Sequence, residues 1–261
     1  MSPQAEALKN EGNARKAAGD LHGALHKYRA ALEIDATYTA ALYNLGVTCR
    51  ELRQFAESEA AFRRLLALAP DDVDALFNLA ALLRQGQRLD EAVERVRRAL
   101  ALAPGDARLW LYLGQIGIER YTDESVREAI DALRRAISLQ PDLADAHHRL
   151  GAALDLDGRH DDALAAYGRA GELEPSNTTY AAALLVQKQR LCDWRGLDAL
   201  HDQVRRAAAA GSVPPVEPFD LLSIPSTRAE QLAASRHYSR AIEAAAGPPL
   251  AAAAHASGKR C

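Results

Sequence analysis

Three asparagines, Asn10, Asn44 and Asn78, stand at intervals of 34 residues. An amide both donates and accepts hydrogen bonds, so a row of them can hold an extended polypeptide backbone without reading its side chains. The residue before each, Lys9, Tyr43 and Phe77, adds a possible anchor. Further along, the same two positions hold Leu111–Tyr112 and His148–Arg149, so the amide row covers three sites and then stops. A solvated helix face also accommodates the asparagines, and packing against a neighbouring helix accommodates the aromatic rings; both readings stand beside the binding one.

Catalytic chemistry finds little purchase. His22 and His26 lie four apart, on one face of a helix, but no third ligand is near in sequence, so no metal site is expected. His147 and His148 are adjacent and point to different faces, which makes them packing or groove residues. Cys49 falls on a packing position and reads as a buried structural thiol. There is no glycine-rich phosphate loop and no Ser/His/Asp constellation. No catalytic residue and no cofactor are expected. A stripe of arginines, Arg64, Arg98, Arg135 and Arg169, with Arg63, Arg97 and Arg134 beside three of them, reads as a solvated face of ion pairs, or else as a surface for an acidic partner.

The elements that must position these residues are seen best between Asp74 and Pro104. Leu76, Leu79, Leu82 and Leu83 fall at helical spacing, as do Ala92, Val96, Ala99 and Leu100 after a turn at Gly86-Gln87-Arg88. Pro104 closes the pair because proline lacks an N–H and clashes with the preceding turn. Two short helices cannot bury both of their apolar faces alone, so the hairpin needs copies on either side. The closing residue recurs as Ala36, Pro70, Pro104, Pro141 and Pro175. A small residue recurs in the first helix as Gly12, Gly46, Ala80, Gly114 and Gly151, and in the second as Ala24, Ser58, Ala92, Ala129 and Ala163. Four residues after the latter comes a bulky one: Tyr28, Phe62, Val96, Leu133 and Tyr167. The pattern resembles the tetratricopeptide repeat, whose period is about 34 residues. It implies an all-α fold: a right-handed superhelix of five helical hairpins with a capping helix, the first helices lining a concave groove.

Composition agrees. The chain has 261 residues, 48% of them hydrophobic but only 5% aromatic, which suits helix-on-helix packing. A net charge of −3 is close to balanced and argues neither for nucleic acid nor for an acidic membrane surface, and neither is expected as a partner. No apolar run approaches the roughly 20 residues of a membrane helix, and residues 1–10 carry no secretory signal. Three scattered cysteines fit a reducing compartment, and the cytoplasm is expected.

In chain order, the first repeat is the most polar, as an end cap should be. Asp71 or Asp72, Asp106, Asp142, and Ser176 or Asn177 follow the closing prolines and can cap the next helix. The fourth repeat carries three extra residues, placed in its turn region between Glu119 and Val126, and has Gly117 where a larger residue usually packs. Beyond Pro175 the period stops. Thr178–Leu191 is predicted as a capping helix, Leu197–Ala210 and Arg228–Ala246 as helices, and Val213–Phe219 as extended because of its three prolines. The domains are thus 5–191 (repeats and cap), 192–246 (connector) and 247–261 (a Pro/Ala/Gly-rich tail expected to be unstructured).

The connector has a resemblance of its own. Cys192-Asp193-Trp194, Pro218-Phe219-Asp220-Leu221-Leu222-Ser223-Ile224-Pro225 and Gln231-Leu232 are similar to the segment that joins repeats to catalytic lobes in bacterial relatives of protein O-linked N-acetylglucosamine transferase. That resemblance implies a groove asparagine ladder for Asn10, Asn44 and Asn78 and a role in recognising an acceptor polypeptide. The chain shows no alternating strand–helix pattern of a nucleotide-sugar domain, so it reads as the substrate-recognition half. A complete glycosyltransferase with its catalytic domain beyond Cys261 is the rival. A third pattern is the carboxylate clamp of chaperone-binding tetratricopeptide domains, which Lys9, Asn13 and Asn44 resemble. Its two remaining basic positions fall on Asp74 and Asn78, and Asp74 would repel a carboxylate. The expected partner is a protein or extended peptide; the oligomeric state is left open.

Overall fold

The computed structural model describes residues 2–210 and 227–246, and all regular structure among them is helical. Two compact units divide the chain at Asp142–Leu143. The first contains four hairpins: α1 (Pro3–Ala17) with α2 (Leu21–Ile34), α3 (Thr39–Glu51) with α4 (Phe55–Leu68), α5 (Val73–Gln85) with α6 (Leu89–Leu102), and α7 (Ala107–Arg120) with α8 (Asp123–Leu139).

Each hairpin closes on the small and bulky residues read from the sequence. Tyr28, Phe62, Val96 and Leu133 have no exposed surface. A Cβ placed on Gly12 would lie 2.5 Å from the Tyr28 ring, one on Gly46 2.8 Å from Phe62, and one on Gly114 2.5 Å from Leu133. The missing side chain is the space the bulky one occupies. At Ser58 the small residue is polar, and its hydroxyl is satisfied by donating to the Gly46 carbonyl at 2.6 Å. All eight apolar residues singled out in the Asp74–Pro104 hairpin are buried.

Successive second helices are linked by charge. Arg29 meets Glu57 at 2.7 Å, Arg63 meets Glu91 at 3.5 Å, and Arg97 meets Glu128. Arg98 reaches Asp71 at 3.2 Å, while Arg64 donates to the Ala36 carbonyl. The arginine stripe is therefore largely committed within the fold. Being exposed, each pair adds only about 0–1 kcal/mol, so registration of one hairpin on the next is the larger effect.

A common device ends the first helices. The residue after the C-cap takes a left-handed conformation at Gly19 (φ 83), Arg53 (φ 60) and Gln87 (φ 58), whereas in α7 the C-cap Tyr121 (φ 55) is itself left-handed. In the first three hairpins the next N–H bonds back to the carbonyl five residues earlier, as from Gln54 to Cys49 at 2.8 Å and from Arg88 to Leu83 at 2.8 Å, completing a Schellman cap. The fourth hairpin departs here. Thr122 instead caps α8, its hydroxyl accepting from Ser125 N while the Ser125 hydroxyl accepts from Thr122 N. The three extra residues do not lengthen the turn as expected. They extend α8 to 17 residues against the 14 of α2, α4 and α6. Gly117 makes room for this added turn, since a Cβ there would lie 2.7 Å from the Ser125 carbonyl oxygen and 2.9 Å from the Ala129 Cβ.

Capping follows the expected residues with one exception. Asp72 rather than Asp71 accepts from Ala75 N, Asp106 accepts from Arg108 N, and Asn177 rather than Ser176 accepts from Thr179 N. Asp142 does not cap; the N-cap of the next helix is Leu143, with no side-chain bond.

The second unit holds α9 (Ala144–Leu156), α10 (His160–Leu173), α11 (Thr178–Arg190), α12 (Leu197–Ala210) and α13 (Arg228–Ala246). Tyr167 again fills the space over Gly151, 2.8 Å from where its Cβ would be. The periodicity outlasts Pro175. Cys192 is left-handed (φ 53), 34 residues after Gly158 (φ 76), and the Asp193 N–H bonds to the Lys188 carbonyl at 2.9 Å, the same Schellman closure. Helix α11 is thus the first arm of a sixth hairpin. Ala181, Ala182 and Leu185 share a core with Leu197 and Val204 of α12 and Ala234 of α13. The Val213–Phe219 stretch and the 247–261 tail lie outside the described residues.

Removing Leu79, 1% exposed at the centre of its hairpin, by Leu79→Ala is expected to cost about 2–5 kcal/mol in chemical denaturation. Gly46→Val, which drives a side chain into Phe62, should cost about 1–3 kcal/mol. The Asp193 carboxylate is held by Arg195 at 2.7 Å and Lys188 at 2.7 Å, and these partners push its pKa far below the ordinary range. Its contribution to the second unit is therefore full above the unfolded pKa of about 3.9 and is lost only as pH falls well below it. Acid titration of wild type and Asp193→Asn should converge only in that acid range.

Candidate functional site

The first helices of the first unit form one continuous face, joined by contacts between corresponding positions. Lys16 of α1 pairs with Glu51 of α3 at 2.8 Å, and Arg84 of α5 pairs with Glu119 of α7 at 2.5 Å. Asn44 of α3 donates to Asn13 of α1 at 2.9 Å; Tyr43 of α3 approaches Asn78 of α5; the Phe77 and Tyr112 rings meet edge-on at 5.0 Å. Of the residues proposed from sequence, these contacts join Asn13 with Asn44 and Tyr43 with Asn78, and the three asparagines of the row are in three different states.

Asn10 is exposed, beside the half-buried Lys9. Asn44 is half-buried, and its NH2 is spent on Asn13, whose Oδ1 also accepts from the Tyr28 hydroxyl at 2.9 Å. Asn78 is only 6% exposed. Its Nδ2 donates to the Asp74 carbonyl at 2.8 Å and lies 3.4 Å from the Tyr43 hydroxyl. Identical residues at one repeat position do not make an equivalent row of open amides. The reason is the neighbour: the Tyr43 hydroxyl covers Asn78, as Tyr28 and Asn44 converge on Asn13. Tyr43 and Phe77 are half-buried, each packed on the core and each showing an edge.

Sequence reasoning missed the second half of this face. Tyr112, where the asparagine row stops, is buried under Arg84, whose Nε donates to its hydroxyl at 2.9 Å and whose guanidinium lies 5.1 Å from the ring centroid. Burial raises the Tyr112 pKa, with Arg84 working against the rise. Burial opposes the Arg84 charge, yet Tyr112 and Glu119 more than offset it. The signal was present as opposite charges 35 residues apart, Lys16 with Glu51 and Arg84 with Glu119. Of the clamp-like set, Asp74 faces Arg108 at 3.9 Å with both side chains mostly exposed.

The remaining candidates are structural. Cys49 is fully buried and burial, more than the nearby Glu57, pushes its thiol up to about 12. His22 and His26 are exposed on α2. In the second unit His148 packs between Tyr167 (5.6 Å) and Tyr180 (4.9 Å), where burial lowers its pKa. Among the described residues no cluster of His, Cys, Asp and Glu is placed to hold a metal ion, and no helix is long and apolar enough to cross a membrane.

Residues 9–72, 50–107, 81–124 and 115–177 match the family model described as tetratricopeptide repeat, and the chain belongs to that family. Its fold is the all-α tetratricopeptide superhelix of stacked helix–turn–helix units. Among solved structures it is similar to PilW, described as a widely conserved type IV pilus biogenesis factor (17% identity, TM-score 0.68, covering 79% of this chain and 94% of that one). It is also similar to MamA from Desulfovibrio magneticus RS-1 (24%, TM-score 0.63, 68% and 98%). A third is YrrB, described as a TPR protein with an unusual peptide-binding site (22%, TM-score 0.59, 67% and 89%). These likenesses establish the fold. A curated relative, small glutamine-rich tetratricopeptide repeat-containing protein 2 of Mycosarcoma maydis, is 33% identical over 81 residues, 31% of this chain and 23% of its own length. The match thus spans under a quarter of that relative. The architecture supports a scaffold that binds protein or peptide.

The two asparagines of α1 should respond differently to truncation. Asn13→Ala strips the buried Tyr28 hydroxyl and the Asn44 amide of their shared acceptor and is expected to cost about 0.5–1.5 kcal/mol in thermal or urea unfolding. Asn10→Ala, on the exposed surface, should stay within about 0.5 kcal/mol of wild type.

Proposed function

We propose that the chain is an interaction scaffold that holds an extended polypeptide across the first-helix face of α1, α3, α5 and α7. The observation that carries this reading is the stripe formed by the half-buried rings of Tyr43 and Phe77 beside the amides of Asn10 and Asn44. Half-buried rings offer apolar area already held in place by the core, so little side-chain entropy is lost when a ligand covers them. The exposed amide of Asn10 and the side-chain oxygen of Asn44 suit a peptide backbone. Asn78 contributes by supporting Tyr43 from below. The connector residues Cys192-Asp193-Trp194, with Trp194 66% exposed, support a narrower version in which the held polypeptide is an acceptor for a sugar-transferring domain of the O-linked N-acetylglucosamine transferase kind.

Peptide arrays followed by calorimetry test the scaffold reading. The double change Asn10→Ala/Asn44→Ala is expected to weaken binding by about 1–3 kcal/mol with little dependence on ligand sequence. Tyr43→Ala and Phe77→Ala should weaken it further. Unchanged affinity in all of these, coupled to an absolute need for a free C-terminal carboxylate, would move the protein to the co-chaperone-like adaptors. For the narrower version, the chain is added to a family transferase domain with a radiolabelled sugar donor. Stimulated transfer onto array-positive peptides but not array-negative ones is the expected result.

A further inference from the structure

We infer that Arg50 is the centre of a carboxylate-binding site on this face, so that the polypeptide held there is acidic at one position. The inference rests on the scaffold reading and narrows its ligand. Lys16, Arg50 and Arg84 occupy one position in three successive first helices, 34 residues apart. The outer two are each neutralised by the residue 35 positions later, Lys16 by Glu51 and Arg84 by Glu119. For Arg50 that residue is Gln85. The periodic ladder of ion pairs thus has a cation at all three rungs and an anion at only two. Among the described residues Arg50 has neither an ion pair nor a hydrogen bond from its side chain.

Arg50 also stands at a pocket. Arg50, Ala81, Arg84, Gln85, Gln87 and Glu119 line an open pocket of about 460 Å³. Glu119 is the one carboxylate in it, and its charge is already matched by Arg84 at 2.5 Å. Arg50 is half-buried, where a charge–charge contact is stronger than in bulk water. Its planar guanidinium presents paired N–H groups that fit the two oxygens of a carboxylate, and the amides of Gln85 and Gln87 add uncharged donors. A glutamate or aspartate side chain, or a chain-terminal carboxylate, supplies the anion that Gln85 does not.

The test uses two variants and one array. Wild type, Arg50→Gln and Gln85→Glu, each checked for native helicity and melting, are applied to 12-residue amidated peptides containing a central Glu or a central Gln. A third set carries the central Gln with a free C-terminus. Gln85→Glu completes the ladder internally, so it keeps or improves stability while filling the site. Wild type is expected to prefer one of the two carboxylate sets by about tenfold, and which set it is identifies the source of the anion. Both variants should lose that preference while retaining the weaker binding of neutral peptides. Equal binding of charged and neutral peptides by wild type, or a preference that survives Gln85→Glu, overturns the Arg50 site and leaves the scaffold intact. Absence of any peptide binding overturns the scaffold and the site together.

Discussion

Everything in the first unit depends on one steric exchange. A glycine or alanine in the first helix of each hairpin gives up its side-chain volume, and a tyrosine, phenylalanine, valine or leucine from the second helix takes it. This lets two helix axes approach closely enough for their remaining apolar residues to interlock, at native packing density. Only then does each hairpin present a regular surface on which the next can sit. The ion pairs between successive hairpins are too exposed to hold the stack. They align hairpins that burial has already brought together.

That division of labour explains what was readable from sequence. The period, the hairpins of the first five repeats and the paired small and bulky residues all follow from contacts made at fixed sequence offsets. Caps were legible to within a residue, because the cap depends on where the chain turns and not on residue type alone: Asp72 and Asn177 serve, Asp142 does not. In the fourth repeat the three extra residues read as turn in the sequence but continue α8 as helix, because Gly117 leaves room for them. In the folded chain it is the gap into which the first turn of α8 settles. The sixth hairpin was missed because its landmarks are backbone landmarks, a left-handed Cys192 and a Schellman bond, carried by residues that do not resemble those of the earlier turns.

The first-helix face shows the same limit more sharply. Repeat position told which residues would share a surface, and Asn10, Asn44, Tyr43 and Phe77 do. It did not tell how far each would be consumed by its neighbours. Asn78 is covered by Tyr43 and Asn13 is shared by Tyr28 and Asn44, since side chains from adjacent hairpins compete for the same polar atoms. A buried polar group must find a partner within the fold, whereas an exposed one remains available to a ligand. Function on such a surface lies in the residues that the pairing leaves over.

The lengthened α8 carries a lesson about how arrays of this kind change length. Three residues turn a helix by about 300°, roughly 60° short of a full turn, so adding them near the start of α8 keeps the downstream side chains on the same broad face. The ladder survives with its stride adjusted: Arg97 finds Glu128 instead of a residue three places earlier. An insertion of close to one helical turn is therefore accommodated inside its own hairpin, where Gly117 supplies the room. An insertion of two residues at the same place would rotate Ala129 and Leu133 away from α7 and break the stack. The closing prolines stand 34 residues apart on either side of this hairpin and 37 apart across it, and the whole difference lies within α8.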